Sequence, residues 1–211
     1  MAAPARKIRQ SAVKNIVRFP AIKAGDGRPI LLESILEAKY CLHLEFDPTV
    51  VSYQPQPKTF DVVGLKGPTK YTPDFEVLYS TDHRAFVEVK PREKSLGEHY
   101  QRIFASFEST YSSQDTVFLL INEDDIYVRP LLSNYEKLYR FRKRSAINHR
   151  TLNECSRDVG STRMRFSSLI SRLEGRASMH ELYSWLAFGY LKFDIESEFL
   201  TLDSEVVFNV G

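Results

Sequence analysis

The stretch "YTPDFEVLYSTDHRAFVEVKP", from Tyr71 to Pro91, carries its charges where a β-hairpin would bury them. It reads as two β-prone runs, "TPDFEVLY" and "AFVEVK", separated by the turn-forming "STDHR". Side chains alternate faces along a strand, so Glu88 and Lys90 share a face with Phe86 while Ala85, Val87 and Val89 pack on the other. Asp74, just after Pro73 at the head of the first run, can approach Glu88 from the neighbouring strand. Two carboxylates with nothing between them repel each other. A divalent cation removes that cost, because magnesium takes one or two carboxylates, keeps several waters and completes its shell with substrate phosphate. Lys90 could then hold or deprotonate an attacking water and steady phosphate charge. The plainer reading makes Glu88 and Lys90 an edge-strand ion pair and Asp74 a turn residue. An aspartate after a proline, a short hairpin and then E-x-K, taken together, favour the catalytic reading.

Upstream, "LLESILEAKYCLHLEF" repeats apolar residues at Leu31, Ile35, Ala38 and Leu42, which predicts a helix ended by Asp47-Pro48. Glu33 and Glu37 lie one turn apart on it, away from the apolar stripe, and position alone does not choose between them as a further site carboxylate. Ser34 and Glu37 also spell a capping box, but the apolar pattern begins at Leu31, which puts Ser34 inside the helix. "VVSYQ" and "TFDVV" read as strands. After Pro91, Leu96, Tyr100, Ile103, Phe104, Phe107 and Tyr111 form one helical stripe, with Ser95 and Glu98 as its capping box. "TVFLLI" reads as a strand buried on both faces, and Ser133 with Glu136 repeats the capping box before "NYEKLYRFRKR". A helix, a run of strands, a second helix and a further strand predict an α/β mixed sheet with helices packed on it. Beyond Ser145 come an amphipathic "STRMRFSSLISRLEG", a helix "SMHELYSWLAFG" boxed by Ser178 and Glu181 and ended by Gly189, and a hairpin from "YLKFDI" and "EVVFNV". Helices followed by a two-stranded wing suggest a small winged-helix-like C-terminal domain. The expected domains are a basic arm over 1–25, a catalytic domain over 26–144 and the winged-helix-like domain over 145–211.

The chain has 211 residues, 43% of them hydrophobic, enough for an ordinary core. Cys41 and Cys155 show no C-x-x-C spacing, which argues against a disulfide framework or a zinc site and fits a reduced, cytoplasmic setting. Runs such as "VFLLI" are far too short to span a bilayer, so no membrane partner is expected. Net charge is +2 but unevenly spread. Residues 1–25 carry six Lys/Arg and no acid, and residues 140–176 carry ten against three acids, leaving −11 for the remainder. An organellar transit peptide can share the character of the first segment. Two basic segments flanking an acidic middle point instead to a nucleic-acid binder, with Arg6, Lys7, Arg9, Arg142, Lys143, Arg144, Arg163 and Arg165 as candidate DNA contacts.

The order Pro73-Asp74 … Glu88-Val89-Lys90 resembles nuclease cores of the PD-(D/E)xK type. Within that group the chain is similar to the TnsA-type endonucleases of heteromeric transposases, through "LLESILEAKYCLHLEFDPTVVSYQPQP", "YTPDF" and "FVEVKP" in that order, and a tail of "ELYSWLAFGYLKFDI" type. The resemblance implies a restriction-endonuclease-like core and matches Glu37 (rather than Glu33), Asp74 and Glu88 to the nuclease acids, and Lys90 to the catalytic lysine. Family members vary between Glu and Gln at the position of Glu88. Gln56 matches a glutamine carried beside the site, with a supporting role. Mg²⁺, or Mn²⁺ in its place, as one or two ions, would be held by Asp74, Glu88 and the Val89 backbone carbonyl, with Glu37 a further candidate. The implied activity is cleavage of the strands at the 5′ ends of a transposon, in double-stranded DNA, alongside a TnsB-type transposase and a TnsC-type ATPase. Two rival readings are a stand-alone phage or repair endonuclease with the same core, and a catalytically inactive module bridging DNA and partners.

Overall fold

The computed structural model describes residues 16–24, 28–144 and 146–209. The chain divides between Tyr127 and Val128 into two compact units. The first opens with a hairpin of β1 (Val17–Phe19) and β2 (Ile30–Leu32), in which Val17 pairs with Leu32 and Phe19 with Ile30. α1 (Ile35–Phe46) follows, and it begins later than its apolar spacing suggests. Pairing with β1 takes Leu31 into a strand, and Ile35 is 58% exposed, so neither belongs to a buried helical stripe. Ser34 is extended and its Oγ accepts from Glu37 N at 3.1 Å, which makes it the N-cap rather than an interior residue. Glu33 therefore precedes the helix. Of the expected stripe Leu42 is buried, and Tyr40, Cys41 and Leu44 are buried beside it.

β3 (Val50–Pro55), β4 (Phe60–Gly64), β5 (Gly67–Tyr71), β6 (Phe75–Tyr79) and β7 (Arg84–Val89) come next, then α2 (Arg92–Ser95), α3 (Glu98–Tyr111), β8 (Thr116–Ile121) and α4 (Glu123–Ile126). The main sheet has the order β3-β6-β7-β8, antiparallel except for the parallel β7–β8 pair, and β4–β5 is a separate hairpin. The unit is thus mixed α/β, with helices on a mixed sheet. On one face Phe75 meets Tyr53 and Tyr40 of α1. On the other, Phe86 and Phe118 meet Phe104 and Phe107 of α3, and Phe86 also meets Phe60 of β4. The alternation read along β7 holds: Phe86 joins the α3 cluster, while Ala85, Val87 and Val89 are buried.

Three local expectations fail for identifiable reasons. Among the described residues β8 pairs only with β7, which makes it an edge strand, and its side chains are half-buried along most of its length rather than enclosed on both faces. Ser95 does not cap α3: its Oγ donates to the Arg92 carbonyl at 2.8 Å, closing α2, and Gly97 takes the cap position. That separate turn leaves Leu96 66% exposed and outside the stripe. Ser133 lies inside α5 (Leu131–Arg144) and cannot cap it.

α5 also explains where the second unit begins. Phe141 stacks on Tyr183 with ring centroids 4.8 Å apart, and Asn134 donates to the Ile195 and Glu198 carbonyls at 2.8 Å each and accepts from Leu200 N at 2.9 Å. These contacts bind the helix to the C-terminal segments, whereas the charge and helix patterns of the sequence place the boundary after Arg144. α6 (His149–Val159), β9 (Met164–Arg165), α7 (Phe166–Arg172), α8 (Met179–Phe188), β10 (Leu191–Lys192) and β11 (Glu205–Phe208) complete the unit. The Ser178–Glu181 capping box forms, and Gly189, in the left-handed region at φ 76°, ends α8. The hairpin pairs Leu191 with Phe208, and β9 adds a third strand in the order β10-β11-β9. Trp185, Phe166, Leu169 and Leu173 are fully buried within the unit. No helix among the described residues is long and apolar enough to cross a membrane.

A fragment ending at Tyr127 is expected to melt cooperatively and elute as a monomer. One ending at Arg144 exposes the α5 residues Leu132, Leu138 and Tyr139, which are buried in the whole chain, and should aggregate more readily. Size-exclusion chromatography and thermal melts of both fragments check this; equal behaviour would show that α5 does not depend on the second unit.

Candidate active site

The β6–β7 ladder ends at the pair Phe75↔Val87, so one residue further Asp74 and Glu88 stand opposite each other. The β3–β6 ladder ends at Pro55↔Phe75, which sets Gln56 opposite Asp74 in the same way. Gln56, Asp74 and Glu88 therefore follow one another across the ends of three neighbouring strands. Backbone bonds pin the row. Gln56 N donates to the Asp74 carbonyl at 2.8 Å, and Val89 N donates to Asp74 Oδ2 at 2.8 Å. Val89 lies beyond the last β6–β7 pair, so its carbonyl is not needed by that ladder.

Glu88 is only 2% exposed. Its Oε2 accepts from the Tyr71 hydroxyl at 2.8 Å, and its Oε1 is paired with the Lys90 ammonium. Lys90 follows the end of β7 and is anchored by its N–H to the Ile121 carbonyl at 2.9 Å, with its ammonium 4.1 Å from the centre of the Tyr100 ring. Burial alone would lower the Lys90 pKa, but the Glu88 charge and hydrogen bond, with Asp74 and Tyr100 behind them, carry it above the ordinary lysine value. The lysine is therefore a held cation. Tyr71 and Tyr100 carry no site signal in the sequence. β5 is obscured by the Gly and Pro of "GPTKY", and Tyr100 counts there only as part of an apolar stripe.

Glu37 sits in the first turn of α1. Its Oε1 accepts from Ser34 Oγ at 2.8 Å and its Oε2 from Glu33 N at 3.0 Å, so both oxygens serve the cap while each keeps a lone pair. Burial chiefly, with the charges of Glu33 and Glu88, raises its pKa above the ordinary glutamate value despite those bonds. Asp74 is raised further, by burial first and then by Glu88 and Glu37, against the lowering effect of Val89 N–H and Lys90. The Glu88 charge thus reaches both Glu37 and Asp74. Even so, no three His, Cys, Asp or Glu side chains among the described residues are gathered closely enough to cage a metal by themselves. What the row offers is two opposed carboxylates, a backbone carbonyl and the buried Gln56 Oε1, which accepts no hydrogen bond. Hard oxygen donors in that number fit a magnesium-like ion that keeps waters and takes substrate phosphate.

The candidate DNA contacts are dispersed. Arg6, Lys7 and Arg9 lie outside the described residues. Arg142 donates to the Ala187 carbonyl at 2.9 Å and lies over the Phe188 ring, so it serves the second unit's own packing. Lys143 is exposed on α5, and Arg144 is the last residue of that helix. Arg163 and Arg165 are exposed and loosely paired with Glu205 and Asp203 at 3.8 and 3.9 Å. No protein-family model matches the chain, and no curated protein matches it either.

The raised Asp74 pKa has a consequence for stability. A carboxyl that holds its proton more tightly when folded destabilises the fold once ionised, and the loss grows as pH rises from the ordinary carboxylate range through the raised value. Asp74→Asn keeps an acceptor for Val89 N–H without the charge. In chelator, it should melt with the wild type below about pH 4 and increasingly above it as the pH rises from there. A melting difference independent of pH would mean that Asp74 is not the strained ionisation.

Proposed function

We propose that this chain is a Mg²⁺-dependent DNA endonuclease with a restriction-endonuclease-like core, acting as the TnsA-type subunit of a heteromeric transposase. The observation that carries the reading is the opposition of Asp74 and Glu88 beyond the last β6–β7 pair, with Lys90 fixed beside them. In this reading Asp74, Glu88 and the Val89 carbonyl would hold the ion, which would polarise the scissile phosphate and acidify water. Asp74 is aimed by Val89 N–H, and Glu88 by Tyr71. Lys90, steadied by Tyr100, offsets charge developing on the phosphate and orients the attacking water. Glu37 adds negative potential from the start of α1. Water attacks phosphorus, the bond from phosphorus to the 3′ oxygen of the neighbouring nucleotide breaks, that oxygen takes up a proton as the water gives one up, and a 5′-phosphate and a 3′-hydroxyl result.

The second unit supports a winged-helix reading through its order helix, strand, helix, helix, strand, strand from α6 onward, and through the sheet order β10-β11-β9. α8 would be the groove-reading helix of such a module. It carries neither Lys nor Arg, and α5 covers it through Phe141 and Arg142. That favours a role in holding partners, a TnsC-type ATPase and a TnsB-type transposase, over reading bases.

Lys90→Ala tests the assignment in an assay with transposon-end DNA and the TnsB-type and TnsC-type partners. Loss of one such electrostatic group lowers rate about a hundred- to a thousandfold, so 5′-strand cleavage should fall that far while partner-catalysed 3′ joining persists and products shift to co-integrates. Excised products at wild-type level from this variant would refute a catalytic role. Wild-type cleavage without partners would point to a stand-alone nuclease.

A further inference from the structure

We propose that Gln56 belongs to the cation site itself, its side-chain carbonyl oxygen binding the divalent ion directly or through one of the ion's waters. The inference rests on the metal-dependent reading above and adds a neutral oxygen to its charged ones.

Three independent observations converge on this residue. The first is position: the β3–β6 register sets Gln56 beside Asp74, in the row that continues to Glu88. The second is backbone: Gln56 has φ 46°, in the left-handed region, where Gly, Asn and Asp are at home and glutamine is rare. Its N–H bond to the Asp74 carbonyl holds it there. The third is the side chain: Gln56 is 4% exposed, and its Oε1 is buried without a hydrogen-bond partner.

Each of the last two features is unfavourable alone, and different residues would relieve them. Glycine would accept the backbone, and an apolar side chain would remove the unmet acceptor. Glutamine at this place makes sense if the oxygen has something to bind. Tyr71 and Lys90 are already committed to Glu88, and once a cation displaces the Asp74 proton the row neighbours can only accept. A cation or a cation-bound water is the missing electrophilic partner, and strained backbone at a site of this kind is a recognised mark of function.

The opposing assignment turns the amide over, so that the Gln56 NH₂ donates to a site carboxylate and the residue merely orients it. Two variants of the full chain separate these roles, with Mn²⁺ as the probe, titrated calorimetrically and by melting shift after chelator treatment. Gln56→Leu keeps the bulk without the oxygen. It should fold, melt without metal at or above the wild-type temperature, and bind Mn²⁺ about tenfold more weakly, the scale of losing a partner in a metal's outer shell. Gln56→Glu presents an oxygen that cannot donate, and should bind Mn²⁺ more tightly than wild type. Wild-type affinity in Gln56→Leu overturns the proposal. So does a Gln56→Glu that is weakened, which assigns the NH₂ role; this variant also decides alone if Gln56→Leu does not fold. Asp74→Ala is the control: if it binds Mn²⁺ as wild type does, or if wild type takes up none, the metal site and this inference fall together. If only Asp74→Ala loses Mn²⁺ while Gln56→Leu keeps it, the Gln56 inference alone falls.

Discussion

Asp74 and Glu88 face each other where the β6–β7 hydrogen bonds stop, and the repulsion between them is what the surrounding structure answers. Water screens such charges well, but burial removes that screening, so each carboxylate needs a specific neighbour. Val89 N–H serves Asp74; Tyr71 and Lys90 serve Glu88. These helpers come from separate places. Tyr71 arrives on the β4–β5 hairpin, and Tyr100, which supports Lys90, arrives on α3. The aromatic packing of Tyr71 on Phe104 and Phe107 fixes both relative to the sheet. Core and site are thus one piece of engineering: the ring cluster that stabilises the face also sets the position of a carboxylate.

The two ends of α1 show how capping and site chemistry share residues. At its start, Ser34 caps the Glu37 N–H, and the Glu37 carboxylate accepts from Ser34 Oγ and Glu33 N while adding its charge to the field at Asp74. Near its end, Glu45 Oε1 accepts from Ile22 N at 2.8 Å and from the Tyr53 hydroxyl at 2.9 Å, tying the chain before α1 to β3. A capping interpretation and a site interpretation of Glu37 are rivals in the sequence; in three dimensions they are compatible, because a carboxylate has more lone pairs than a cap uses.

The basic character of the second unit is smaller than its composition suggests. Arg150 pairs with Glu154, Arg172 and Arg176 with Asp158, and Arg163 and Arg165 with Glu205 and Asp203. Exposed pairs of this kind contribute little to stability, and a phosphate backbone can compete for the arginines. α8, by contrast, carries neither Lys nor Arg and is committed inward and to α5.

The sequence by itself determined the elements whose signals are local. Period-two alternation gave the faces of β7, and "SMHEL" with Gly189 gave both ends of α8, because cap and strand patterns depend on neighbours a few residues away. It also placed Asp74, Glu88 and Lys90 in one hairpin. Only tertiary structure decided what depends on distant partners. "TVFLLI" has the same side chains at an edge as in a sheet interior, since the missing hydrogen-bond partner leaves no trace in them. Leu31 looks helical until β1 pairs with it. α5 carries no mark saying which unit will cover its apolar side. Tyr71 reaches the site through a separate hairpin, and Gln56, which only the resemblance brought beside the site, reaches it through register across strands; those are relations between segments that no single segment spells out.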